Sequence, residues 1–353
     1  MYWYYVIYSL VLCGVALPFV KDERLRRYMQ MLYFPYVLVV LAIFVGLRSS
    51  SPDYTSYSSW FDWVSAGHLV AQDWAKDPAF VLVSYIVSAL GLSFTGVTLF
   101  FAISALVSQF CFSKLASNQR WIALFFYLVV CRMLIGSDMA SIRSGVAIPL
   151  MSISLLLAFR GKRKIALLLY VVALTFHLSV LVGLLPFVLV MFKVQFHSRW
   201  WVLSWIPGGI LAKIGLQNVV GLLSNNIRAG IYVDNLNASK GPPSVYYIYI
   251  GVRLLILALI VIFYWNKITA ESRLALFCFS TGIVLQILFI SNNAVSWRSS
   301  DIFAMFDVVV LMLPLKLMKG YYRLLYVAGL VAFGFVFFQF SVQIMEPYRW
   351  ILS

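Results

Sequence analysis

Acidic residues are scarce in this chain: 12 Asp and Glu occur in 353 residues, and charged residues of both signs make up only 11%. Soluble globular domains carry about a quarter of their residues as charges, so an ordinary soluble domain is excluded. Cysteine is equally rare. Cys13, Cys111, Cys131 and Cys278 all fall in apolar runs, with neither metal-ligand spacing nor the pattern of a disulfide framework. Low-complexity tracts and internal repeats are missing, which leaves no sign of a repeat architecture.

What the chain has is hydrocarbon. Hydrophobic residues make up 63% and the mean hydropathy is +0.93. Apolar stretches near 20 residues recur along the whole length, each able to cross a hydrocarbon core of about 30 Å. They are continuously apolar rather than alternating, which argues against a membrane β-barrel. The expectation is an all-α, polytopic membrane protein with one transmembrane domain over 1–353. About 10–12 spans are expected on length, with short re-entrant or interfacial helices on the outer face and external loops at about 48–77 and 225–244.

A net charge of +15 invites a nucleic-acid partner, but its distribution argues for none. Many of the basic residues sit in short clusters between apolar spans: Lys21 to Arg27, Arg160 to Lys164 and Lys316 to Arg323. With these loops cytoplasmic, that side holds 15 Lys and Arg against 3 Asp and Glu, as the positive-inside rule requires. The first apolar segment precedes its positive charges, the reverse of a cleaved signal peptide, and is expected to be a retained helix. Residues 78–92 are too short for a comfortable span. Residues 165–192 admit two short helices breaking near His177, or one tilted helix followed by a large external loop at about 193–244.

Five arginines lie in or beside apolar runs: Arg48, Arg132, Arg143, Arg253 and Arg298. A charge there costs at least a few kcal/mol and needs a partner, a cavity or an anionic ligand. The expected topology brings Arg48, Asp53, Arg143 and Arg298 to the outer ends of helices, with His177 if the chain breaks there. Arginine suits phosphate because its planar fork donates paired hydrogen bonds and keeps its charge. Simpler roles compete. Arg298 and Asp301 can pair three apart on one helix face. Arg132 can neutralise Asp138, and Arg253 can snorkel outward. Arg143 has no acidic residue within four positions, so its partner must come from elsewhere. Scattered aspartates such as Asp53, Asp62 and Asp73 make a weak case for a divalent ion, and no metal is expected. Aromatic residues at 54–63 and 246–249 fit an interfacial belt or platforms for sugar rings.

Gly46-Leu47-Arg48, followed by Asp53-Tyr54 and Tyr57, resembles the Gly-x-Arg…Asp-x-x-x-Tyr motif of EpsG-like proteins. These are Wzy-type polymerases of O-antigen and exopolysaccharide. Arg143 with Ala147 is similar to that family's Arg-led helix. Phe176-His177-Leu178-Ser179 is similar to its His-x-Ser motif, and Arg298 with Phe303 to its late Arg and aromatic. Pro347-Tyr348 is similar to its C-terminal end. The resemblance spans about residues 30–350. The family often has Glu where Asp77 stands.

The resemblance implies a GT-C-type glycosyltransferase of the bacterial inner membrane with its active site facing the periplasm. It would join oligosaccharide repeat units carried on undecaprenyl pyrophosphate, releasing undecaprenyl pyrophosphate, with no cofactor and no nucleotide sugar. Donor and acceptor would both be lipid-linked, and a polysaccharide co-polymerase would set chain length. Arg143, Arg298 and Arg48 would bind the pyrophosphate, and His177 or Asp53 would activate the acceptor hydroxyl. Tyr54, Tyr57, Arg132, Asp301 and Arg253 would support them. Two other classes compete: an O-antigen ligase-like transferase, and a transporter or flippase for lipid-linked sugars. A polymerase makes a ladder unaided, a ligase needs its own acceptor, and a flippase makes no bond.

Overall fold

A computed structural model of the chain describes all residues except 69–76, 195, 197, 224–243, 291–292, 344, 346 and 351–353. The expected external loop at 225–244, Asp73 and the terminal Glu346 therefore fall outside the described residues, save Ser244. Among the described residues there is no β-strand. The α-helices are α1 (Tyr2–Cys13), α2 (Glu23–Gly46), α3 (Tyr54–Ser65), α4 (Pro78–Ala89), α5 (Phe94–Ala116), α6 (Ile122–Met133), α7 (Ile142–Phe159), α8 (Arg163–Phe176), α9 (Leu184–Met191), α10 (Arg199–Leu223), α11 (Ser244–Phe263), α12 (Ala270–Leu288), α13 (Asn293–Asp301), α14 (Ala304–Met312) and α15 (Gly320–Val342).

Among the described residues, seven helical segments are long and apolar enough to cross a membrane, α2, α5, α7, α12 and α15 among them. Four shorter apolar helices accompany them: Pro78–Ala89, Leu178–Met191, Val202–Lys213 and Tyr247–Phe263. The protein is an all-helical, multi-pass membrane protein. The chain breaks at His177, where α8 gives way to a 3₁₀ turn over Leu178–Gly183. The alternative of one long helix with a large loop at about 193–244 is overturned, because residues 199–223 are helical.

The chain divides into two compact units, Met1–Leu181 with Met318–Ser353, and Val182–Leu317. In the first, α7 packs against α5 and α8, and α2 packs against α5. Small residues let these helices approach, as lipid-embedded packing requires. Ser144, Gly145, Ala147, Ser152 and Ser154 are all buried in α7, and Ser154 Oγ donates to the Ala166 carbonyl of α8 at 2.7 Å. Gly145 permits a close approach: a Cβ there would lie 2.5 Å from Asp138 Oδ1 and 3.1 Å from Asp138 Cα. That approach lets the π-helical segment Leu134–Ala140, which follows α6, lie against the start of α7.

One end of this unit carries the basic loops. Asp22 caps α2, accepting from the backbone amides of Arg24 at 2.8 Å and Leu25 at 3.2 Å. Arg120 Nε donates to the Pro18 carbonyl at 3.1 Å, Gln30 Nε2 to the Gln119 carbonyl at 3.1 Å and Arg160 Nη2 to the Leu115 carbonyl at 2.8 Å. The start of α2 and the ends of α5 and α7 thus meet there. At the opposite end, the C-terminal segment closes on the turn after α2. Arg48 and Trp350 form an antiparallel bridge, Ser49 N donates to the Arg349 carbonyl at 2.9 Å, and Tyr348 stacks on Phe44 with ring centroids 4.3 Å apart.

In the second unit α12 is central, packing against α10, α11, α13 and α14. Thr269 caps it, accepting from Ser272 N at 3.2 Å. Helix α14 ends at Met312, and a 3₁₀ turn follows at Pro314–Lys316.

Candidate functional site

Asp77 is the centre of a polar cluster at the end of the first unit away from the basic loops. It precedes Pro78, which takes the first position of α4, where a missing N–H does no harm. Its carboxylate is buried, with 3% of the side chain exposed, and forms an ion pair with Arg143 Nη1. His177 Nδ1 lies 3.5 Å from the other carboxylate oxygen, at the long limit of a hydrogen bond. Arg143 Nε donates to Tyr57 Oη at 3.2 Å. Four segments therefore converge: the first turn of α3, the start of α4, the start of α7 and the end of α8.

Aromatic packing sets the geometry. Tyr57, Phe61 and Val64 form the buried face of α3, and Tyr57 and Phe61 join Phe80, Val83, Phe94, Phe101 and Ile142 in one apolar cluster. Trp60 stacks on Phe80 at 4.5 Å. The Arg143 guanidinium lies 5.0 Å from the Tyr57 ring centroid and 5.5 Å from that of Trp60, so the rings offset part of its desolvation. The platform expected at 54–63 thus holds a protein cation. Arg143 keeps 15% of its side chain exposed and His177 25%. Arg143 Nη2 and His177 Nε2 have no hydrogen-bond partner among the described residues. An anion can reach the guanidinium, and a hydroxyl can reach the imidazole.

Arg48 is placed differently. It is 1% exposed, and its guanidinium donates to the backbone carbonyls of Val45, Asp138 and Met139. Burial lowers it to about 10, which leaves it a cation at neutral pH. Its Nη groups are taken by carbonyls and its Nε is buried, so it braces the segment that leads into α7 and Arg143. Asp138 is held by Gln109, which donates to both carboxylate oxygens at 2.7 and 2.9 Å. Arg132 is buried in α6 with its guanidinium 4.8 Å from the Phe337 ring centroid. Asp53 stands before α3, half-buried, and its carbonyl accepts from Tyr57 N at 3.1 Å. Tyr54 packs edge-on against Phe94 at 5.2 Å. Burial raises its phenol above the ordinary value, against the pull of Arg48.

The second unit holds Arg253, Arg298 and Asp301. Arg298 is exposed on α13, and Asp301 is buried at the end of the same helix. Arg253 does not snorkel outward. It is 3% exposed, pairs with Asp307 at 2.8 Å, and donates to Gln286 Oε1 at 3.0 Å and to Ser300 Oγ.

A family model described as the EpsG family matches residues 31–351. The chain belongs to the EpsG family. No curated protein and no solved structure matches it. Membership in the EpsG family brings a polysaccharide-polymerase type of function, carried out by a glycosyltransferase-like membrane protein. In this EpsG-family chain, Arg143 and His177 meet through Asp77, which the sequence analysis did not single out as a site residue. Its signal was an aspartate directly before a helix-starting proline.

Proposed function

We propose that the chain polymerises oligosaccharide repeat units carried on undecaprenyl pyrophosphate, building O-antigen or exopolysaccharide at the periplasmic face of the bacterial inner membrane. The observation that carries this reading is the Arg143–Asp77–His177 cluster, open at Arg143 Nη2 and His177 Nε2, in a chain of the EpsG family. The cluster lies at the end of its unit opposite the basic loops, and basic loops mark the cytoplasmic side.

Arg143 donates to the donor's pyrophosphate. As the anomeric C–O bond to the pyrophosphate breaks, negative charge grows on the departing oxygen, and a preorganised guanidinium stabilises it. His177 presents Nε2 to the acceptor hydroxyl of the incoming repeat unit. Asp77 accepts from Nδ1–H, which fixes the tautomer that leaves Nε2 free to take the proton. The acceptor oxygen bonds to the anomeric carbon, and undecaprenyl pyrophosphate leaves. We assign the base to His177 rather than Asp53 because the imidazole has a carboxylate on its far nitrogen. Arg48 serves by bracing the start of α7. Arg298 is kept as a proposed phosphate ligand within its own unit, and Asp301 supports it. Arg143 supplies the positive charge, so the proposal includes no metal.

The test is complementation of a strain lacking the gene. Arg143→Ala and His177→Ala, each present in the membrane at wild-type levels, are expected to leave single repeat units in place of a ladder. Long-chain polymer made at the normal rate by either variant would sink the assignment. Purified protein given lipid-linked units alone is expected to make a ladder, which neither a ligase nor a flippase does.

A further inference from the structure

The polar cluster sits at the head of an apolar groove. Pro78 follows Asp77 and Phe176 precedes His177, and both line a cavity of about 580 Å³. Leu82, Ile86 and Phe100 continue its walls. Thr175 contributes a side-chain hydroxyl to the lining, and it donates to the Val172 carbonyl at 2.7 Å. A polar ligand entering this groove would lose water and gain little hydrogen bonding in return. The groove selects hydrocarbon.

Its position says which hydrocarbon. Helix α4 has 12 residues, about 18 Å at 1.5 Å per residue, well short of a core of about 30 Å. Leu82 and Ile86 lie one turn apart on one face of α4 and are 49% and 48% exposed. They form the side of the groove that a lipid tail can reach from the bilayer. Its Pro78 and Phe176 walls are the chain neighbours of Asp77 and His177, which brings this end of the groove beside the Arg143–Asp77–His177 cluster. A ligand that satisfies both ends is an amphiphile with an anionic head and a long apolar tail. We propose that the groove along α4 holds the polyisoprenyl tail of the lipid-linked substrate while its pyrophosphate engages Arg143. The proposal rests on the polymerase reading above, because the head held by Arg143 fixes the identity of the tail.

Photolabelling of the full chain in nanodiscs tests it, with a diazirine-bearing polyprenyl pyrophosphate as probe. Labelling is expected on residues 78–100 and 175–176, competed by unlabelled polyprenyl pyrophosphate and not by phosphatidylglycerol. Leu82→Trp and Ile86→Trp fill the groove and are expected to cut labelling about tenfold. They raise KM for lipid-linked units while kcat changes little, as expected for a lost contact made equally in ground and transition states. Leu82→Ala empties the same position and retains labelling, which controls for loss of fold. Labelling elsewhere, equal competition by phosphatidylglycerol, or full labelling of both tryptophan variants would overturn the groove. Groove labelling with the expected competition, by a protein that makes no polymer, supports the groove and removes the polymerase reading. Polymer formation with labelling elsewhere does the reverse.

Discussion

Each unit of this protein has an arginine–aspartate pair inside an apolar surround, and the two pairs are built to different ends. In the second unit Arg253 is closed. Its Nη1 donates to Gln286 and Ser300 and its Nη2 to Asp307. The guanidinium lies 5.4 and 4.9 Å from the Tyr249 and Phe279 ring centroids. Gly282 makes room for it, since a Cβ there would lie 2.9 Å from Arg253 Nη2. In the first unit Arg143 is half spent. One carboxylate and one phenol hold it, a face remains open, and an imidazole shares its aspartate. The same pair of residue types is a structural rivet where both Nη groups are held and the whole guanidinium is buried, and a candidate site where the guanidinium keeps an exposed edge.

The largest expected effect comes from breaking the open pair. Asp77→Ala removes the group that orients His177 and holds Arg143, and polymerisation is expected to fall by about 10²–10⁴, the range of a positioned acid–base group. Stability should change less, because Arg143 can turn its exposed face to water or headgroups. The checks are the rate of ladder formation and the unfolding temperature of purified protein. Loss of fold equal to that of the closed-pair variant would erase the distinction between the pairs.

Breaking the closed pair should invert that pattern. Asp307→Ala strands a buried guanidinium, and removing one partner of a buried pair costs about 3–5 kcal/mol. Reduced abundance and a lowered unfolding temperature are expected before any change in chemistry. The double replacement Arg253→Met with Asp307→Leu restores much of the loss, because apolar isosteres avoid the desolvation of both charges. An Asp307→Ala protein with wild-type thermal stability and no polymer would move Arg253 into the site.

How much of this was legible beforehand follows from the range of the signals. Long apolar runs announce spans through local composition, and α2, α5, α12 and α15 each fall on such a run. Helices α3 and α13 do not announce themselves that way. Helix α3 is polar on its outer face and buries only Tyr57, Phe61 and Val64, and α13 is short and serine-rich, held by Ser296 Oγ donating to the Gln286 carbonyl at 2.8 Å. Ion pairs reach further still. Arg143 finds Asp77 across 66 residues and Arg253 finds Asp307 across 54. The lack of a neighbouring acid correctly sent Arg143's partner elsewhere, but no periodicity names a partner at such separations. Arg48 was the opposite case: its motif drew it toward the phosphate, while backbone carbonyls take its Nη groups.

The smallest expected effect separates the parts of the open pair's support. Tyr57 offers Arg143 both a ring face and a hydroxyl. Tyr57→Phe keeps the ring, the packing against Phe80 at 5.6 Å and the cation–π contact, and deletes only the acceptor for Nε. A typical hydrogen bond contributes about 0.5–1.5 kcal/mol net, so a loss of roughly two- to twelvefold in rate is expected, with little change in unfolding temperature. Tyr57→Leu also removes the ring and should cost more, by about 0.5–2 kcal/mol for the lost cation–π contact. If Arg143 is aimed chiefly by Asp77, both losses stay well below that of Asp77→Ala in the same polymerisation assay. If Tyr57→Phe matches Asp77→Ala, the phenol takes part in the chemistry, and the open pair becomes a site of four groups in which no single carboxylate is the centre.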